Sequence, residues 1–324
     1  MRLWWSTSIL CLAALSAVPS AQKAPPGAEV LWRDSGDMAA LNLLYGAGGI
    51  DHAPDPHGTF TFVKEAVDGT NPKFEVDDAA GERWRVKLGE ESQTEVAGTR
   101  LVWAAGYFVD EDYYLPEVTI TGLSHLNRGK NLVAPGGVVR GASFERRSKD
   151  EKKRGDWDWF KNPFLDTREE NGLRVMMALI NNWDLKQVNN SIVDVGGERR
   201  YEITDLGATF GNTGNYLTRS KGQLADYAET KFIERETPEF VDFVLHSRPF
   251  VLTIFNRAHY REYTRMEQLT RHIPRGDARW LGDRLSQLSG EQLRDAFRAA
   301  GYSPAVVDGF AQVVAKRIAA LKAL

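Results

Sequence analysis

The sequence predicts an α+β protein of two lobes: a small lobe of antiparallel sheet carrying one helix, then a larger lobe that is mainly helical. Two patterns predict it. Between Phe60 and Leu88, apolar and polar residues alternate in three short bursts, Thr59 to Val63, Lys73 to Val76 and Arg83 to Leu88, the period of half-buried strands. Beyond Pro163 the apolar residues recur at spacings of three and four, as Leu173, Met176, Met177 and Ile180 do, the period of a helix with one buried face. The expected boundaries are a leader at 1–21, an N-terminal extension at 22–58, the small lobe at 59–121, a connecting segment at 122–162 and the helical lobe at 163–324.

The chain opens with Arg2, an apolar run from Ser8 to Val18 and then Pro19-Ser20-Ala21. That is the charge, apolar core and small-residue exit of a secretory signal, so the expected location is periplasmic or extracellular. The run is too short to span a bilayer, and no later stretch approaches the length a membrane helix needs. Cys11, the single cysteine, lies inside this leader, so the mature chain is expected to carry no thiol or disulfide. About 300 residues remain, enough for a well-buried core. A net charge of -3 gives no electrostatic reason to expect nucleic acid as a partner.

The three bursts read as antiparallel strands joined by turns at Asp68-Gly69-Thr70-Asn71-Pro72 and Asp77-Asp78-Ala79-Ala80-Gly81, both rich in residues that tolerate tight conformations. Thr94 reads as the cap of a helix from Glu95 to Ala105, with Gly106 as its stop. Further strands are expected at Glu117 to Thr121 and around Val138 to Phe144, then a helix at Glu169 to Asn182. The charged run from Arg146 to Arg154 reads as a solvated loop rather than a phosphate-binding patch. From Pro238 to Leu324 several amphipathic helices are expected, with Ser289 and Gln292 as a capping box, Gly301 as a stop and Ser303-Pro304 as a fresh start.

Three segments fit phosphoryl transfer, and their order adds to the signal. Lys87 stands on the third strand between apolar neighbours, and Glu95 on the following helix, with Glu91 as the alternative, can orient it toward phosphates. Asn182-Trp183-Asp184-Leu185-Lys186 leads to Asn189, five residues beyond Asp184. An Asp and an Asn at that spacing offer a carboxylate beside an acceptor hydroxyl and an amide oxygen for a metal. Twenty-one residues after Asp184, a strand ends in Asp205-Leu206-Gly207, where a carboxylate can chelate magnesium opposite the first loop.

In this order of motifs, the segment from about Phe60 to Gly211 resembles the protein-kinase-like superfamily. It is nearer to atypical members, such as HipA-type kinases and kinases of secretory pathways, than to eukaryotic Ser/Thr kinases. Asn71-Pro72-Lys73 and the stretch Thr94 to Leu101 carry the HipA-type likeness. The resemblance implies a protein-kinase-like two-lobed fold and a reaction that uses Mg-ATP, with manganese as an alternative metal. It implies that Lys87 binds phosphates, Glu95 pairs with Lys87, Asp184 acts as base with Lys186 beside it, and Asn189 and Asp205 hold the metal. It covers about half of the chain and stops before the C-terminal helices.

The departures matter too. No Gly-x-Gly-x-x-Gly precedes Lys87, so Gly69, Thr70 and Asn71 are the candidates to cover the nucleotide phosphates. Asn182-Trp183-Asp184 stands where His-Arg-Asp is usual, and no Ala-Pro-Glu follows. Three functions stay open: a phosphotransferase acting on an unknown protein, glycan or small-molecule acceptor, an exported pseudokinase acting as a binding module, and a transferase of the whole AMP group. Asp51 to His57, with its two prolines, reads as a surface loop rather than a metal site. Trp157, Trp159 and Phe160 read as loop anchors rather than a ligand platform. Arg257, His259, Arg261 and Arg265 read as one solvated helix face.

Overall fold

The computed structural model describes residues 27–67, 69, 71–123, 126–213, 219–245, 261 and 264–324. The expected leader, Thr70, Arg257 and His259 lie outside them. No helix among the described residues is long and apolar enough to cross a membrane.

The chain enters through β1 (Ala28–Val30) and then builds a sheet from β2 (Phe60–Ala66), β3 (Lys73–Asp78) and β4 (Arg83–Leu88). After the helix α1 (Glu91–Ala104) come β5 (Phe108–Val109), β6 (Asp112–Thr121), β7 (Val133–Ala134) and β8 (Val138–Arg146). The sheet order is β4-β3-β2-β6-β8-β7, and β4 also pairs with β8, so the sheet closes on itself. The expectation of a purely antiparallel sheet is corrected at one seam: β2 runs parallel to β6, with Phe60 opposite Ile120. Closure leaves fewer strand edges bare.

Alternation decides what the closed sheet encloses. Phe74, Val76, Trp84, Val86 and Phe144 point inward and form a core with Phe60. Each such fully buried side chain contributes about 1.5–3 kcal/mol. The intervening Lys73, Arg85, Lys87 and Glu145 occupy the opposite face.

Helix α1 starts a turn earlier than its sequence signals suggest. Thr94 is not its cap; no side chain caps it. The Thr94 hydroxyl instead donates to Gly207 O at 2.6 Å, because the helix is pinned along its length to the segment after Asp205. Its apolar residues Val96, Leu101 and Val102 belong to a second, larger core shared with the C-terminal helices. The described part of the expected 22–58 extension also enters that core, through Leu31, Met38 and Leu43.

The charged run is not one solvated loop. Arg146 ends β8, and Lys152 to Gly155 form β9 (Lys152–Gly155), an edge strand. Then α2 (Arg168–Leu179), capped by Thr167, leads to the hairpin β10 (Asn190–Val195) and β11 (Glu198–Ile203). Its turn is Gly196-Gly197, with φ of 57° and 83°, the left-handed pair that a two-residue hairpin turn needs. The second sheet runs β1-β11-β10-β9 with β5 on β11.

Among the described residues, the lobe expected to be helical at 163–324 also contains strands beyond β11. After α3 (Leu224–Glu229), β12 (Ile233–Glu236), β13 (Phe240–Phe243) and β14 (Ile273–Pro274) form a small sheet. Alternation in Phe240-Val241-Asp242-Phe243 overrides the helical expectation there, and Asp242 accepts from Arg235 Nε at 3.0 Å. Helices resume as α4 (Arg275–Leu285), α5 (Gly290–Ala299) and α6 (Pro304–Lys322). The Ser289–Gln292 capping box and the Pro304 start are both present. Trp157 and Trp159 are buried anchors, as expected.

Candidate active site

Lys87 is set by its strand. It lies opposite Lys73 on β3 and Ser143 on β8, and its stem is buried where β4 meets α1. There Nζ sits 2.9 Å from Glu95 Oε2 and 3.9 Å from Asp205 Oδ1. Burial opposes the ammonium, but the Glu95 and Asp205 carboxylates outweigh it and hold Lys87 above the usual lysine range. Glu95 also accepts from Leu206 N at 3.1 Å, so one carboxylate ties the lysine, the helix and the Asp205 turn together. Glu91, the alternative partner, is bonded to Lys221 instead.

Two glycines let α1 come this close. A Cβ on Gly98 would lie 2.9 Å from Leu206 Cβ, and one on Gly207 would lie 2.9 Å from Glu91 Cβ. Gly207 has no positive φ, so its role is room for the helix rather than the sharp exit its place after Asp205 suggests. Phe210, with φ of 53°, stores backbone strain. Its ring packs against Tyr227, Phe297 and Phe310 at 5.2–5.8 Å, and its N–H donates to Ile180 O at 2.8 Å. The C-terminal helices thus hold the turn that carries Asp205.

The loop after α2 is fixed from inside. Asn189 Nδ2 donates to Asp184 O at 2.7 Å, which leaves Oδ1 as its ligating atom. Thr204 N donates to Asn189 O at 3.1 Å and links the loop to the strand before Asp205. Lys186 Nζ lies 2.7 Å from Asp184 Oδ1.

A cleft of ≈ 470 Å³ is lined by Gly69, Lys87, Asn189 and Asp205 together. Asp184 and Lys186 are not among its lining residues, although the Asn189 bond ties their loop to it. Asn71 is not a lining residue either, and its Nδ2 is buried without a partner among the described residues. Of the expected phosphate cover, Gly69 alone is placed in the cleft wall, with Thr70 outside the described residues. A larger cavity of ≈ 710 Å³, lined by Thr119 to Leu123 and Val133 to Gly137, brings together none of these groups.

The cleft also holds Lys73, from the Asn71-Pro72-Lys73 stretch, Arg147, Glu151 and Lys153, from the charged run, and Arg85, Asp110, Glu145 and Glu202, which no short motif flags. For Arg85, Glu145 and Glu202 the signal was strand alternation, which shows that residues share a face but not what that face meets. Behind Lys87, Asp112 is buried with neither oxygen hydrogen-bonded among the described residues.

Burial raises two of these carboxyls, Asp112 to about 7 and Glu202, with help from Glu151, to about 8. Each keeps its proton in the folded chain at pH values where the unfolded chain has lost it. Folding stability is therefore expected to fall as pH rises from about 4 to about 8. The Lys87 contribution is constant over that window, since it is lost only above the ordinary lysine value. Thermal melts should give a lower Tm at pH 8 than at pH 6, and Glu202→Gln should flatten the slope; an equal slope in that variant would reject this source.

A divalent ion fits this donor set. No group of three or more His, Cys, Asp or Glu among the described residues could hold a metal alone. Magnesium, however, is commonly bound by one or two protein oxygens plus substrate phosphates. Asp205 and Asn189 supply such oxygens beside Lys87.

The site thus brings together a lysine, a helical glutamate, an aspartate and an asparagine from separate elements. No family model and no curated protein matches the chain. Among solved structures it is similar to the Helicobacter pylori proinflammatory kinase CtkA, at 10% identity over 81% of this chain and 98% of that one, with a TM-score of 0.42. It is also similar to the Golgi casein kinase with Mn/ADP bound, at 8% identity over 82% and 71%, with a TM-score of 0.43. The Golgi casein kinase in another structure gives 10% identity over 80% and 74%, with a TM-score of 0.32.

Proposed function

We propose that this protein is a kinase-like phosphotransferase of two lobes that moves the terminal phosphoryl group of Mg-ATP to a hydroxyl acceptor. The observation that carries the reading is the convergence of Lys87, Glu95 and Asp205, with Nζ 2.9 Å from one carboxylate and 3.9 Å from the other. A buried ammonium oriented by one acid and placed beside a second suits a phosphate next to a metal.

In this mechanism Lys87 holds the donor phosphates and Glu95 fixes the lysine. Asp205 and Asn189 would hold the magnesium or manganese, which when bound neutralises charge on the phosphates. Asp184 takes the proton of the acceptor hydroxyl as its oxygen bonds to phosphorus and the bond to the leaving phosphate breaks. Lys186 lies beside Asp184 and balances the charge there. The leader at the N-terminus supports an exported setting, and the acceptor is a protein, a glycan or a small molecule.

The test is labelled nucleotide with magnesium or manganese and a panel of hydroxyl acceptors. Transfer of the γ-phosphate that is lost in Asp184→Asn, with nucleotide binding retained, is the expected result. Transfer of the α-phosphate instead would identify nucleotidyl transfer, and binding without any transfer would identify a pseudokinase.

A further inference from the structure

A second cavity, of ≈ 340 Å³, backs onto the cleft. It shares Glu151 and Glu202 with the cleft, whereas Lys87, Asn189 and Asp205 line the cleft alone. Its size suits a small ligand. Alternation along β11 sends Tyr201 and Ile203 into the large core, so Glu198, Arg200 and Glu202 share the opposite face. Glu202 stands opposite Phe108 of β5.

Most charges in the wall of this cavity are matched. Arg33 and Arg200 both reach Glu198, at 2.6 and 3.4 Å, and both lie over the Phe108 ring. Asp34 pairs with Arg284 at 3.1 Å, and Glu111 with His52 at 2.8 Å and Arg146 at 3.5 Å. Glu151 and Glu202 remain. Among the described residues neither carboxyl has a hydrogen bond or an ion pair, although Glu202 is only 6% exposed. Buried polar groups ordinarily find a partner, so an unmatched one that lines a cavity marks a place for a ligand. Trp103, in the last turn of α1, brings a partly buried ring to the same cavity. No other ring and no cation stacks on it among the described residues, and indole is the aromatic face that holds a cation best. The acids do not converge as a metal site would among the described residues. An ammonium or guanidinium needs no such convergence, since its N–H donors can reach separate carboxylates.

We propose that this cavity binds a small organic cation, a primary ammonium or a guanidinium, whose charged head meets Glu202 and Glu151 beside the Trp103 ring. The inference stands apart from the phosphotransferase reading. Burial first, then Glu151 and Glu111, raise the Glu202 carboxyl to about 8 against the pull of Arg200. It therefore holds its proton near neutrality and must lose it to receive the cation. Binding releases that proton, and affinity rises as pH climbs toward about 8.

The experiment is calorimetric titration of the purified protein near neutral pH and at fixed ionic strength, in buffers of different ionisation enthalpy. The probes are agmatine and putrescine, with butanediol as the neutral control. Saturable binding of at least one amine with proton release is expected, and none of the diol. Glu202→Gln keeps the size of the protonated acid and so the fold; it should weaken amine binding by about tenfold or more, as should Trp103→Leu. No binding by either amine, diol binding as tight as amine binding, or an affinity unchanged in Glu202→Gln would each overturn the proposal. Binding lost in Glu202→Gln but unchanged in Trp103→Leu would overturn it too, by placing the cation in the neighbouring cleft.

Discussion

Alanine at Asp205 is expected to abolish the magnesium-dependent rise in Tm that a nucleotide causes and to lower phosphoryl transfer by about a thousandfold or more, the scale of the several kcal/mol a bound metal contributes. The fold should survive. The Asp205 side chain is 40% exposed and meets Gly207 N at 3.3 Å and Lys87 Nζ at 3.9 Å. Chemical denaturation should therefore show a stability change below about 1 kcal/mol. Metal-dependent nucleotide binding that persists in a folded Asp205→Ala protein would remove this residue from the site. Asp205→Asn separates charge from shape, because it keeps one oxygen and loses the anion.

The largest effect on stability is expected from Arg317→Leu. Arg317 is 4% exposed in α6, far from the cleft motifs in sequence. Its guanidinium donates to Leu179 O at 2.8 Å, Asn181 Oδ1 at 2.7 Å, Tyr227 O at 3.1 Å and Thr230 O at 3.2 Å. It also lies 4.1 Å from the centre of the Tyr227 ring. Burial lowers its pKa, but the carbonyls at the end of α2 offer the negative end of a helix dipole. Leucine would leave those acceptors unpaired in the core, at a cost of about 3–5 kcal/mol. Urea denaturation measures this directly, and a loss below about 1 kcal/mol would show that water replaces the guanidinium.

The same substitution should reach the site. Asn181 carries a φ of 53° and donates from Nδ2 to Gly211 O at 2.7 Å, so it joins the end of α2 to the segment that follows Asp205. Loosening Arg317 frees this joint one residue before the Asn182-Trp183-Asp184 loop. Where the variant is still folded, transfer should fall through misplacement of Asp184 rather than through loss of nucleotide binding. Arg317→Lys should restore only part of the stability, since an ammonium cannot reproduce the planar fork.

Much of the candidate site was legible because its residues sit in local patterns. Lys87 stands within an alternating strand, Asp184 and Asn189 share one loop, and Asp205 ends the next hairpin. Each was assigned from a few neighbours, and the structure brings Lys87, Glu95, Asn189 and Asp205 together. The start of α1 was misplaced because Thr94 looks like a cap, while its hydroxyl in fact bonds a carbonyl 113 residues away. The run from Arg146 to Arg154 looked solvated because local charge cannot show that Arg147 and Lys153 face a cleft.

By itself, the sequence determined the strand and helix periods, the order of the candidate site residues and the alternation that separates charged from apolar faces. These depend on backbone geometry within a few residues. Only the tertiary structure decided that the first sheet closes through β4 and β8, that its outer face lines the cleft, and that Arg317 holds the end of α2 across 138 residues of chain. Such outcomes depend on which faces must be buried against each other and which buried polar groups must find partners, and both are properties of the whole chain.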